Sequence, residues 1–106
     1  MRKSLIAAGL LLAAIAPCVW AADADVTQKG QRFSQTSINL GVGDTMHFHN
    51  EDDVTHNINI IDSDGVPDDQ GLQKPGEVIN HKFDKVGTFE ARCAIHPRMK
   101  MTIAVK

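Results

Sequence analysis

Beyond residue 22 the chain carries no helical repeat of useful length. Apolar residues alternate instead with polar ones in short runs separated by turn residues, the pattern of strands that bury one face. Ile38 and Leu40 alternate with polar neighbours before the turn Gly41-Val42-Gly43-Asp44, and Met46 and Phe48 then alternate with His47 and His49. Ile58 and Ile60 point one way, Asn57, Asn59 and Ile61 the other. The stretch from Asp62 to Gly71, rich in Asp and Gly, reads as a polar loop. Val78 to Phe83 predicts another strand, Lys85-Val86-Gly87 a turn, and Thr88 to Arg92 a strand running into Cys93. A last strand carries Met101, Ile103 and Val105 on one face, with Thr102 and Ala104 on the other. Six or seven short strands with no repeat and no second domain predict an all-β fold, an antiparallel sandwich or barrel.

Residues 1–21 differ in kind from the rest. Arg2 and Lys3 give a positive start, Leu5 to Ala16 an apolar run, and Val19-Trp20-Ala21 places small residues at the two positions a signal peptidase inspects. This predicts a secretory signal peptide over residues 1–21, a single domain over 22–106, and a periplasmic location. The apolar run is too short to span a membrane. Ile15-Ala16-Pro17-Cys18 loosely resembles a lipid-attachment box, but the proline before the cysteine argues against that reading. Without Arg2 and Lys3, nine Lys and Arg face thirteen Asp and Glu, a formal charge of −4. That balance gives no support to nucleic acid or anionic lipid as a partner.

Cleavage would also remove Cys18 and leave Cys93 as the sole thiol of an exported chain. An unpaired cysteine in an oxidising compartment is a liability unless buried, paired between chains or bound to something. Its neighbours favour binding. Cys93-Ala94-Ile95-His96-Pro97-Arg98-Met99-Lys100-Met101 sets a thiolate, an imidazole and two thioethers within nine residues. Soft sulfur with imidazole selects copper, and two His and one Cys with a weak axial Met form the blue-copper arrangement. A second imidazole must then come from elsewhere in the chain. His47 and His49 lie together on the polar side of a strand, and His81 is set by a twist the sequence does not reveal. His56 follows the acidic turn Glu51-Asp52-Asp53 and opens an apolar run, which places it at a strand start and at one end of the sandwich.

The pattern Gly41-x-Gly43-Asp44-x-Met46-x-Phe48-x-Asn50, then His56-Asn57-Ile58, then Gly87-Thr88-Phe89-x-x-x-Cys93-x-x-His96-Pro97-x-Met99 resembles the cupredoxins. It is most similar to their amicyanin and plastocyanin branch and covers residues 33–106. The resemblance implies a small antiparallel Greek-key β-sandwich that binds one copper ion cycling between Cu(I) and Cu(II). It implies His56, Cys93 and His96 as equatorial ligands. It also implies that Asn57 directs its backbone N–H at the Cys93 sulfur and ties the two ligand loops together through its side chain. The axial ligand is Met99 in the short-loop form and Met101 in the longer one. Pro97 directly after His96 favours Met99, and Met101 continues the apolar alternation of the last strand. Two departures stand out: Ala91 occupies a position commonly aromatic, and the chain is short enough that an edge strand is expected to be missing.

These features predict a monomeric electron carrier rather than an enzyme, shuttling single electrons between redox partners. The resemblance implies docking of a cytochrome or dehydrogenase on an apolar patch around His96. Leu72, Pro75, Ile95 and Pro97 are the candidates for that patch, with Arg92, Arg98, Lys100 and Lys74 around it. The alternative is periplasmic copper sequestration or tolerance, for which Met46, His47 and His49 would form an accessory site. A thiol nucleophile beside histidine is a third reading, but no oxyanion-binding or orienting group accompanies it.

Overall fold

The computed structural model describes residues 21–106, so the signal-peptide and Cys18 expectations lie outside the described residues apart from Ala21. Eight strands follow one another: β1 Asp23–Gln28, β2 Ser37–Leu40, β3 Thr45–Asn50, β4 His56–Ile61, β5 Pro67–Gln73, β6 Val78–Lys82, β7 Gly87–Arg92 and β8 Lys100–Val105. They form a three-stranded sheet, β1-β3-β6, and a five-stranded sheet, β2-β8-β7-β4-β5. Alternating residues of both sheets meet in one core. Met46 and Phe48 from β3, Ile58 and Ile60 from β4, and Met101, Ile103 and Val105 from β8 are all buried there. Fully burying a side chain the size of Phe48 stabilises by about 1.5–3 kcal/mol, so the inward stripe of each strand fixes its register.

Three expectations change. The sandwich is mixed rather than antiparallel throughout, because β1 runs parallel to β3 and β2 parallel to β8. Parallel neighbours need a crossover between them, and the chain supplies one by leaving each sheet for the other before it returns. The polar loop expected over residues 62–71 contains the first part of β5, which pairs with β4 from Pro67 onward. Its residues are polar because β5 is an edge strand, exposed along most of its length. A register shift between Ile58 and Asn59 and the left-handed Gly71, at φ 97°, bend it around β4. With β1 and β5 counted, the described residues hold eight strands rather than six or seven.

Ala91 is fully buried, paired with Ile60 on one side and Met101 on the other. The small side chain thus sits under the core with an isoleucine and a methionine across from it. Phe33 reaches the core by a different route, edge-on to Phe48 with ring centroids 6.3 Å apart.

Candidate metal centre

The site is built where β4 begins and β7 ends. These strands are antiparallel neighbours, with Asn59 opposite Arg92, so the segment entering β4 and the loop leaving β7 meet at one end of the sandwich. Asn50 sets the first segment. Its side-chain amide donates to the carbonyls of Val54 and Gln73, each at 3.0 Å, and its oxygen accepts from the Asp52 N–H at 2.9 Å. With this buried residue clamping residues 50–55, His56 enters β4 fully buried. The second segment is a tight loop. The His96 N–H donates to the Cys93 carbonyl, the Met99 N–H to the His96 carbonyl at 2.9 Å, and the Cys93 N–H to the Met99 carbonyl.

The three donors expected from the sequence converge. The Nδ1 atoms of His56 and His96 are 3.1 Å apart, and the Cys93 Sγ is 3.5 Å from His96 Nδ1 and 3.8 Å from His56 Nδ1. Bonds of about 2.0–2.3 Å to imidazole and thiolate, arranged trigonally about one ion, put the donors roughly 3.5–3.7 Å apart. The observed triangle therefore fits a single ion with little movement. Cys93 is buried and His96 half-buried, so one imidazole edge reaches the surface.

Asn57 makes the contacts that the resemblance implies. Its backbone N–H donates to Cys93 Sγ at 3.2 Å, and its side-chain oxygen accepts from the Ala94 N–H at 2.9 Å. Its amide also donates to the Asp69 carboxylate and the Gly71 carbonyl, which brings in β5 as a third support. Asp69 in turn accepts from the Gly71 N–H, and these two hydrogen bonds, Gly71 first, hold its carboxyl below the usual range. Hydrogen bonds to ligand atoms and their neighbours orient ligands and tune a metal.

The two methionines separate. Met99 is buried in the ligand loop and stands outside the apolar core cluster, whereas Met101 lies within that cluster, opposite Ala91. The proposed accessory group does not assemble. Met46 is fully buried and faces the core, while His47 and His49 occupy the opposite face of β3. His81 packs edge-on to Phe83, ring centroids 4.6 Å apart, and lines a separate cavity with Ile60 and Phe89.

Two groups that sequence reasoning passes over border the site. The Asp52 carboxylate accepts from His56 Nε2 at 2.9 Å and from the Gln31 N–H at 2.8 Å, both at Oδ2. The Gln31 N–H foremost, then His56, lower its carboxyl to about 2. A four-residue spacing from His56 is the one signal in the sequence, where Asp52 looks like an ordinary member of an acidic turn. The second group is the loop after β1. Gly30, Gln31 and Arg32 form one wall of a cleft of about 620 Å³, and Ile95, His96, Pro97 and Arg98 form the other. The expected patch residues Leu72, Pro75, Ile95 and Pro97 are all exposed, and Leu72 lies on β5 directly opposite Asn57. Arg92 lies away from the cleft, in an ion pair with Glu90.

A two-sheet sandwich with two imidazoles and a thiolate converging at one end defines a small copper protein of the cupredoxin class. The chain belongs to the copper binding proteins of the plastocyanin/azurin family, whose model matches residues 21–106. Copper is the metal of this family and the cofactor of this chain. Among curated proteins it is similar to the methylamine utilization protein MauL of Methylophilus methylotrophus, 28% identical over 82 residues. That match covers 76% of this chain and 47% of the relative, so the chain spans about half the length of MauL there. Among solved structures it is similar to a purple cupredoxin from Nitrosopumilus maritimus, with a TM-score of 0.70 and 24% identity over 79% of this chain and 100% of that one. A methionine variant of amicyanin in the Cu(I) form gives a TM-score of 0.72 and 19% identity, covering 89% and 88% of the two chains. These structural likenesses bear on the fold.

Proposed function

We propose that this protein is a periplasmic one-electron carrier in which His56, Cys93 and His96 bind copper, with Met99 as the weak axial ligand. The observation that carries the reading is the donor triangle: both Nδ1 atoms and the thiolate already face one point, held there by Asn57 and by the tight loop from Cys93 to Met99. Copper in such a set passes between Cu(I) and Cu(II) with little rearrangement of its ligands. The role of the chain is to keep that set rigid, to shield the thiolate from water, and to leave one edge of His96 open for electrons.

Residues 1–21 serve in this reading as the export signal, and residues 22–106 as the single folded domain. The partner is a redox protein, a cytochrome or dehydrogenase, that docks over His96. Arg32 and Arg98 on the two walls of the cleft favour a partner surface bearing carboxylates. The name of the MauL relatives points to methylamine utilization as the setting. Sequestration loses its main support because Met46 is turned into the core.

Cu(II) added to the purified apoprotein should produce an intense thiolate-to-copper visible band. Electron transfer to candidate cytochromes and dehydrogenases should then slow as ionic strength rises, since salt screens exposed charges. Slow exchange with every candidate, together with copper sensitivity in a strain lacking the protein, would favour sequestration instead.

A further inference from the structure

We propose that Asp52 is a positioning residue of the copper centre, fixing the orientation and charge environment of His56 and joining that ligand to the loop that walls the docking cleft. The proposal rests on the reading of His56 as a copper ligand. With Nδ1 of His56 turned toward Cys93 and His96, Nε2 carries the ring proton, and that N–H donates to Asp52 Oδ2. A carboxylate behind a ligating imidazole fixes its tautomer and raises its basicity. A negatively charged carboxylate behind the imidazole favours the more highly charged Cu(II) state over Cu(I), so the contact should hold the reduction potential down.

The same carboxylate oxygen is held from the other side. Gln31 donates its backbone N–H to it at 2.8 Å, and Gln31 is the one non-glycine residue with positive φ among the described residues, at 56°. A left-handed conformation costs a glutamine energy, and here it follows Gly30, also left-handed at φ 62°, so that the loop turns toward Asp52. Gly30, Gln31 and Arg32 face His96 across the cleft. A partner pressing on this loop would thus meet a chain of two hydrogen bonds leading to the other imidazole ligand. His56 is fully buried and has no surface of its own; through Asp52 it is connected to one.

The test compares two neutralising variants in the copper-loaded protein. Asp52→Asn keeps the shape and an acceptor oxygen but removes the charge; Asp53→Asn removes the same charge from the exposed neighbouring residue, which makes no contact with His56. Asp52→Asn should shift the Cu(II)/Cu(I) equilibrium toward Cu(I) about tenfold, which is about 59 mV for one electron. Asp53→Asn should shift it less than about twofold, the remainder left after solvent screening, and Asp52→Glu should restore part of the native potential. A second measurement uses the unaltered protein. In the diamagnetic Cu(I) form, proton NMR should show the His56 Nε2–H as a slowly exchanging, downfield signal. Equal shifts from the two variants, or a His56 ring proton in fast exchange with water, would overturn the proposal. A wild-type protein that gives no thiolate-to-copper band would overturn the copper reading itself, a separate outcome.

Discussion

The molecule holds two pairs of histidines, and only one of them converges with a thiolate on a single point. His47 and His49 alternate along β3 on its outer face, partly exposed, their ring centroids 6.5 Å apart. Each is occupied by its neighbours: His47 by Asn80 and Asp23, His49 by Asp25. His56 and His96 come from separate segments forty residues apart, with the first fully buried and both Nδ1 atoms turned to the same point as a thiolate. Two imidazoles close in sequence therefore count for less than two whose free nitrogens converge. On β3 the carboxylates of β1 and the amide of Asn80 satisfy the rings and clasp β1 to β3 and β6, a structural role. At the end of the sandwich, the ring nitrogens that face each other have no carboxylate between them.

The hardest test of this contrast is removal of the thiolate. Cys93→Ser should abolish the visible copper band and leave a folded apoprotein, and His56→Ala should also disrupt the band. Replacing both His47 and His49 with alanine should leave the band in place; its loss would move the metal to the outer face. Because copper binds the native state, melting should rise on loading, by about 4 kcal/mol of stabilisation at a thousandfold excess over Kd, and calorimetry with and without copper reads it. Next in size is the difference between the methionines. Met99→Gln should change the spectrum and potential while copper stays bound, and Met101→Leu should cost less than about 1.5 kcal/mol of stability with the spectrum unchanged. The reverse pattern would make Met101 the axial ligand.

The smallest expected effect comes from the outer pair. The Asn80 side chain first, and Asp23 after it, raise the pKa of His47 above its ordinary value. A histidine raised on folding adds stability that is complete below about pH 6.5 and is lost as pH climbs through its higher folded value. Melting temperature should therefore fall slightly across that window, and His47→Gln should remove the slope. The copper band, measured over the same range, should not follow it.

The proposed ligands are legible because their spacing is chemical: a thiolate, an imidazole and a methionine crowd one short loop where a soft metal ion can gather them, and His56 stands at a strand start. The inward stripes of β2, β3, β4 and β8 are legible because each has an apolar face against the core. What escapes is what lacks such a face. β5 lies at an edge and reads as polar turn residues, and β1 has a short stripe in which Val26 is its one buried apolar residue. Parallel pairing is a long-range choice that no local pattern encodes. Asp52 escapes for another reason: an acidic residue in a turn is ordinarily a solvated one, and only the fold shows which carboxylate has a buried ring behind it.

The position of β8 also governs when the protein can fold. The strand is interior to the five-stranded sheet, flanked by β2 on one side and β7 on the other, yet residues 100–105 are the last strand in chain order. Until those residues are available, β2 has no strand partner and stays unjoined to β7, and the loop from Cys93 to Met99 has no anchored far end. Pairings between segments this distant are slow, in the range of about milliseconds to seconds for all-β domains. A chain with this order completes its five-stranded sheet only once β8 is in place, which suits the proposed export, in which the chain is threaded through a membrane before it closes on its metal.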